Sequence, residues 1–169
     1  YNGKNTFVFR MELDNEFSLC SNIVLEIAPA EKGYLWVATS LGINKFSLRE
    51  RRVVESYMQY VDVENIASDS EGNTVLFSGE DFITCYRPGR AFFEDVYIPG
   101  VRAAEIVTVW SEAPRVFCTL GRDGELVRYR LNDGEGESLV RVSGRQLSAR
   151  PVRKAFFNGG RLHFVDTSG

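Results

Sequence analysis

Short runs of apolar and β-branched residues alternate along this chain with polar turns that contain glycine. In the first clear unit, apolar runs at residues 23–28, 34–39 and 43–47 are separated by turns at Gly33 and Gly42. Runs of this length are typical of β-strands, and glycine at the joints is typical of tight hairpin turns. The pattern therefore predicts antiparallel strands joined by hairpins, and no helix longer than about two turns.

The same unit returns at intervals of about 40 residues, a spacing typical of repeat proteins. Gly33 has a counterpart in Gly72, and Thr39 has counterparts in Ser78 and Thr119. Four strands in a period of about 40 residues form one blade of a β-propeller, and a blade must stack on its neighbours to bury its faces. The sequence therefore predicts an all-β fold, a β-propeller segment of about four four-stranded antiparallel blades with roughly half of its residues in strands.

The positions of the repeats predict where each blade begins and ends. Blades are expected at residues 22–58, 62–98 and 104–143, with the last strand of a preceding blade at 1–11 and the start of a further blade at 150–169. An incomplete blade leaves unpaired strand edges, which propellers avoid by closing their ring. We therefore expect a fragment of a larger propeller, one with about seven blades.

The repeat also predicts which side chains pack between blades. We expect the strand residues at or beside the Trp36 position to be mostly buried, namely Ile27, Leu35, Trp36, Val37, Val75, Phe117 and Phe164. Glycine and asparagine in the turns are expected to supply the backbone conformations that hairpins need.

Composition adds little evidence for chemistry. A hydrophobic fraction of 44% and a net charge of −3 fit a globular chain with a core, and they give no sign of disorder or of a polyanionic partner. The free-standing cysteines Cys20, Cys85 and Cys118 are too far apart for a disulfide or metal framework, so we predict small apolar residues in or near strands. The single histidine and the scattered acids form no catalytic or metal-binding pattern. No catalytic residue, metal or cofactor is predicted.

One charge asymmetry stands out near the end of the chain. Residues 141–161 contain six basic side chains and no acidic one. This segment is either a solvated face paired with nearby acids, or a site where arginine forks recognise an anionic group such as a uronate or a sulfate. The ligand-binding candidates are Arg150 and Arg153, together with Trp110 as an exposed rim aromatic that stacks on a sugar ring. We expect such contacts from loops on a blade rim and expect no nucleic acid.

Residues 21–46 carry the most specific motif, Ser-Asn-x-Val-x-x-Ile, followed by Gly-x-Leu-Trp-Val-Ala-Thr and by Gly-Ile-x-x-Phe. This motif closely resembles the two-component regulator propeller repeat, which builds the periplasmic sensor region of bacterial hybrid two-component systems. The resemblance makes five residues structural repeat positions: Asn22, Gly33, Trp36, Thr39 and Gly42. The other copies are degenerate, with Val75, Val116 and His163 aligned to Trp36.

The resemblance implies a non-catalytic, ligand-sensing propeller in the periplasm, the extracytoplasmic part of an inner-membrane protein whose histidine kinase lies outside this chain. It implies an oligosaccharide ligand, which the arginine-rich segment suggests is anionic. It also implies packing against further propeller blades of the same chain and a homodimer in the full-length sensor. Two alternatives stay open. One is a secreted or periplasmic propeller that docks other proteins, and the other is a propeller-fold carbohydrate-active enzyme.

Overall fold

A computed structural model describes residues 6–57, 63–78, 83–89, 92–96, 98, 100–132 and 139–168. Strands hold 59% of these residues, and the described part of the chain contains no α-helix. A single turn of 3-10 helix at Ala103–Glu105 is the exception to the strand-and-turn pattern there. The prediction of an all-β fold is therefore confirmed.

The strands form antiparallel sheets in which each strand pairs with the next one along the chain. Blade 1 contains β1 (Val24–Pro29), β2 (Tyr34–Thr39), β3 (Gly42–Ser47) and β4 (Arg52–Tyr57). Blade 2 contains β5 (Val63–Ser68), β6 (Thr74–Ser78), β7 (Ile83–Tyr86) and β8 (Phe93–Val96). Blade 3 contains β9 (Ile106–Ala113), β10 (Val116–Gly121), β11 (Glu125–Leu131) and β12 (Leu139–Gln146). Blade 4 is a two-stranded sheet in the described residues, with β13 (Val152–Asn158) and β14 (Arg161–Asp166).

The first strands of the blades lie side by side. Strand β1 contacts β5, β5 contacts β9, and β9 contacts β13. In a propeller each meandering sheet radiates outward from such a row of inner strands. The four sheets are therefore successive blades of a propeller segment, as the sequence predicts.

Apolar clusters fill the spaces between successive blades. Trp36 of blade 1 packs with Ile66 and Leu76 of blade 2. Phe77 of blade 2 belongs to one cluster with Phe117 of blade 3. Because each of these two clusters draws on two blades, neither core is complete within a single blade, which is the energetic basis of stacking.

Each inner strand carries a one-residue β-bulge at the same place. The extra residues are Leu25, Glu64, Val107 and Arg153. A bulge shifts the alternation of side chains and increases the local twist. Counted from the bulge, Cys118 occupies the position of Trp36, because it pairs with Trp110 as Trp36 pairs with Ala28. The sequence alignment of Val116 with Trp36 is therefore wrong.

The segment before blade 1 differs from its prediction. Residues 6–22, which we call the N-terminal strap, contain no strand, so the predicted strand at 1–11 is wrong for residues 6–11, while residues 1–5 lie outside the described residues. Asn15 and Ser18 accept hydrogen bonds from nearby backbone N–H groups, which compete with strand pairing.

The N-terminal strap instead covers part of the face of blade 1 that is turned away from blade 2. Leu19 packs with Val37, Phe46 and Val53. The ring of Phe9 meets that of Phe46 edge-on, with centroids 4.7 Å apart. These contacts place apolar strap residues where sheet stacking would otherwise occur.

The burial predictions hold for residues between two blades and for residues under the strap. Trp36, Val37, Val75 and Phe117 are buried, and Leu35 is half-buried.

Two of those predictions are wrong, because Ile27 is 58% exposed and Phe164 is 37% exposed. Ile27 pairs with Val37 on the face of blade 1 that is turned away from blade 2. The strap covers Val37 on this face but leaves the inner strand β1 exposed. Phe164 lies on β14, which has a single partner strand in the described sheet.

Candidate functional site

Trp110 is not the exposed rim aromatic that the sequence predicts. It is 8% exposed, and its ring stacks on that of Phe157 with centroids 5.0 Å apart and an interplanar angle of 10°. Strand β9 runs on to Ala113, so Trp110 lies inside the strand, and after the bulge at Val107 it faces blade 4. A covered ring has no face left for a sugar, so this ligand-binding prediction is wrong.

Arg150 and Arg153 are both exposed. Arg153 is the bulged residue of β13, and Arg150 lies in the connection before that strand, where its N–H donates to Ser148 Oγ at 3.0 Å. Hydrogen bonds from Ser168 lower the pKa of Asp166, and Ser148 and the charge of Arg150 add to this effect. Arg150 therefore lies near a carboxylate, and both arginines stay candidates for ligand contact.

The basic segment is less loop-like than predicted. Residues 141–146 belong to β12 and residues 152–158 to β13, so the loop is confined to residues 147–151. Its six basic residues are therefore divided between an outer strand of blade 3, a loop and the strands of blade 4.

The repeat positions shape turns and connections. Gly33 and Gly42 have φ values of +93° and +140°, which a residue with a Cβ rarely adopts. The Thr39 hydroxyl donates to the Gly42 carbonyl at 2.9 Å. The Asn22 side chain accepts a hydrogen bond from Met11 N–H at 2.8 Å and so links the middle of the strap to its last residue. These contacts lie within the chain, in turns and in the strap.

Trp36 and Lys45 lie in a buried group between blades 1 and 2. The sequence predicts the burial of Trp36 but not that of Lys45. The Trp36 indole N–H donates to Thr74 Oγ1 of blade 2 at 2.9 Å. Lys45 is 5% exposed, pairs with Glu31, and donates to the Tyr86 hydroxyl at 3.2 Å. Burial alone lowers the pKa of Lys45, but its hydrogen bonds to Glu31 and Tyr86 outweigh burial and raise it. The ammonium group of Lys45 therefore has its partners, Glu31 and Tyr86, within the protein.

A polar cleft of about 350 Å³ opens at the junction of blades 2 and 3. One wall is the connection between β8 and β9, at residues 100–105, and another is the turn at residues 121–125. The floor is the face of blade 3 that is turned toward blade 2, with Thr119, Val127 and Tyr129. Volumes of about 300–1,000 Å³ are typical of small-molecule sites.

The charges of this cleft, which we call the blade 2–3 cleft, are paired within the protein. Arg141 pairs with Glu125, and Arg102 pairs with Glu105 at 3.5 Å. Asp123 Oδ1 accepts a hydrogen bond from the Glu125 N–H at 2.9 Å. Two guanidinium groups therefore face three carboxylates at the cleft.

Gly144 makes room for the ion pair between Arg141 and Glu125. A Cβ at Gly144 would collide with the guanidinium of Arg141 and the carboxylate of Glu125. Glycine inside a strand often marks such a close approach, and this is the sequence signal that could have indicated the site.

The floor of the cleft contains two neighbouring hydroxyl groups. Thr119 is 1% exposed, and its hydroxyl group lies next to that of Tyr129. Burial raises the pKa of the neighbouring Tyr129 hydroxyl, and Thr119 and Arg141 oppose that rise. Sequence reasoning missed Thr119 and Tyr129 because both occupy ordinary strand positions.

Glu26 is the second group that the sequence did not reveal. It lies directly after the bulge of β1 and is half-buried, and burial raises its pKa to about 7, against a hydrogen bond from the Ile66 backbone that lowers it. Asn65 occupies the same position in blade 2, where its side-chain N–H donates to the Ile106 carbonyl at 3.1 Å. Residues at this position therefore bridge neighbouring inner strands.

All three cysteines are free thiols; Cys85 and Cys118 are buried in strands, as predicted, and Cys20 is half-buried in the strap. Burial raises the pKa of Cys85 to about 12 and that of Cys118 to about 11.

No group of three or more His, Cys, Asp or Glu side chains suited to a metal ion occurs within the described ranges. No helix of the described residues has the length and apolar character that crossing a bilayer requires.

The sequence matches no protein-family model and no curated protein. The fold is widespread, since 609 chains of solved structures match it. Among them is PorZ of Porphyromonas gingivalis, described as an essential bacterial surface component of the type-IX secretion system. The alignment has a TM-score of 0.57 at 10% sequence identity and covers 87% of this chain but 20% of PorZ. The chain thus spans about a fifth of PorZ, and at this identity the likeness is one of fold.

Proposed function

We propose that this chain is a non-catalytic, ligand-sensing propeller of a hybrid two-component signalling protein, located outside the cytoplasm and responding to oligosaccharides. The observation that carries the proposal is the motif at residues 21–46, whose Gly-x-Leu-Trp-Val-Ala-Thr core resembles the two-component regulator propeller repeat. A fold shared by many proteins gives no function by itself, so the proposed function depends on the repeat subtype.

The packing of the motif supports this proposal. Trp36 is 0% exposed and wedges between two blades, with its indole N–H bonded to the neighbouring blade. The Thr39 hydroxyl donates a hydrogen bond to the Gly42 carbonyl in the hairpin turn. These residues of the motif therefore have structural roles, which leaves ligand contact to loops and clefts.

Titration calorimetry of this chain against neutral and acidic oligosaccharides tests the proposal. We expect saturable binding of at least one oligosaccharide and no cleavage of any of them by chromatography. Weaker binding of acidic sugars by an Arg150→Ala/Arg153→Ala variant would assign the anionic contact to these arginines. Equal binding by that variant would remove them as ligand residues, and turnover of any glycan would contradict a non-catalytic role.

A protein-docking propeller is the second candidate, because apolar side chains are exposed on both ends of the blade stack. Leu25 and Ile27 are 45% and 58% exposed on blade 1, and Phe156 and Val165 are 59% and 50% exposed on blade 4. Further propeller blades of the same chain, or the partner subunit of a homodimer, would cover such faces in the full-length sensor. A protein that binds partner proteins and no sugar would favour this second function.

A further inference from the structure

We propose that two copies of this chain associate head to tail, with blade 4 of each copy seated on the inner strand β1 of the other. The exposed apolar faces at the two ends of the blade stack then cover each other, as large exposed apolar surfaces commonly do. This assembly does not depend on the sensing function, so either can fail without the other.

The three junctions within the chain repeat one pattern of packing. The residue at the Trp36 position of each blade shares an apolar cluster with the residue two places after the bulge in the next blade. The pairs are Trp36 with Ile66, Val75 with Val109, and Cys118 with Ala155. The repeat therefore defines what a fourth junction of the same kind would bring together.

The two open faces carry the two halves of this pattern. Counted from the bulge at Arg153, His163 has the position of Trp36, and its ring stacks on that of exposed Phe156 with centroids 4.9 Å apart. Ile27 lies two places after the bulge of β1, and it is also exposed. His163 and Phe156 of one copy would thus meet Ile27 of the other in the register of the internal junctions.

The open part of blade 1 also matches blade 4 in width. The strap lies over the strands that follow β1, where Leu19 packs with Phe46 and Val53. Blade 4 has two strands in the described sheet, so it is narrow enough to seat on β1 and lie beside the strap. The open edge of β14 would then face residues 7–9, an exposed apolar run that belongs to no strand. Such a run is suited to pairing with an open sheet edge.

Charge favours the head-to-tail arrangement over contact between two like faces. The strap has three exposed carboxylates and one guanidinium, whereas the strands of blade 4 have three exposed basic side chains and one carboxylate. These are Glu12, Asp14, Glu16 and Arg10 on the strap, and Arg153, Lys154, Arg161 and Asp166 on blade 4. Two strap faces, or two blade 4 faces, would bring like charges together, and head-to-tail contact brings opposite charges together.

Two head-to-tail junctions are enough to close a ring. The described residues form four blades in one chain, so two copies supply twice that number. Closed propellers have about four to eight blades, and a head-to-tail contact that closes into a ring stops growing. We therefore expect a dimer rather than a filament.

Sedimentation velocity of this chain over a roughly hundredfold range of concentration tests the assembly. We expect a monomer that converts to a dimer as the concentration rises, and severalfold weaker dimerisation when NaCl is raised from about 50 to 500 mM. A monomer at every concentration would overturn the proposal and leave these faces to further blades of the same polypeptide. Dimerisation that salt leaves unchanged would overturn the role of charge in selecting the second copy.

Ile27→Asp and Phe156→Asp test the direction of the contact. Both residues are exposed, so both variants should fold with the melting curve of the parent monomer, and each alone should weaken dimerisation by roughly tenfold or more. An equal mixture of the two should form dimers again, because blade 4 of the Ile27→Asp chain and blade 1 of the Phe156→Asp chain are both intact. Leu48→Asp is the matched control, since Leu48 is exposed in the turn between β3 and β4, and it should leave dimerisation unchanged. Dimers of either single variant at the affinity of the parent, or a mixture that stays monomeric, would overturn the head-to-tail contact.

Discussion

Glu26 gives this propeller a pH-dependent contribution to stability that the Glu26→Gln substitution should remove. The carboxyl group is half-buried after the bulge of β1, next to the Ile66 backbone of blade 2. Burial raises its pKa from the ordinary 4.5 to about 7. At about 1.4 kcal/mol per pKa unit this corresponds to about 3 kcal/mol, and solvent screening of a partly exposed group reduces the expected effect to about 1–2 kcal/mol.

The sign follows from which state binds the proton. Between pH values of 4.5 and about 7 the folded protein holds the proton of Glu26 and the unfolded chain does not. The stabilisation is therefore complete below the unfolded pKa and is lost as the pH rises through the folded pKa. Glutamine is neutral throughout, and Asn65 shows at the equivalent position that an amide fits between inner strands.

Urea unfolding of both proteins at a series of pH values measures this effect. Near pH 8 the Glu26→Gln variant should be more stable than the parent by about 1–2 kcal/mol, and near pH 4 the two should agree. Glu64→Gln is the matched control, because Glu64 is the exposed, bulged residue of β5, and it should leave the pH profile unchanged. An advantage of Glu26→Gln that is the same at all pH values would show that ionisation of Glu26 does not cause the difference in stability.

Three further predictions concern packing, thiol reactivity and backbone strain. Trp36→Ala should lower the free energy of unfolding by about 3–5 kcal/mol in urea, because it empties the space between two blades, and a loss below about 1 kcal/mol would contradict that packing. At mildly alkaline pH, iodoacetamide should label half-buried Cys20 in the folded protein well before Cys85 and Cys118, whose pKa values burial raises to about 12 and about 11, and equal rates by mass spectrometry would contradict this order. Gly124→Ala should destabilise the protein by about 1–3 kcal/mol, because Gly124 has a φ of +84° and a Cβ there would collide with the backbone of Ser148. An unchanged melting curve would contradict this backbone strain.

The propeller segment could be predicted from sequence because its signals are local. Strand runs, glycine turns and a period of about 40 residues are all contained within single units of the repeat. Trp36 is similarly determined by its own strand, and its predicted burial is confirmed at 0% exposure.

The errors arise where the outcome depends on register or on distant segments. Strand β9 runs on to Ala113 and Trp110 packs against blade 4, whereas the sequence predicts a loop directly after Trp110. The strap at residues 6–22 follows local side-chain hydrogen bonds that compete with a strand. The blade 2–3 cleft requires the connection at residues 100–105 to lie against strands of blade 3, and only the folded arrangement brings these together.

We propose that this propeller is the sensor region of a hybrid two-component system. Sequencing the complete reading frame that contains residues 1–169 tests it most directly. We expect a membrane-spanning helix after the propeller, followed by a histidine kinase in the same polypeptide. A frame that encodes neither of these, or that joins the propeller to a catalytic carbohydrate-active domain, would contradict it.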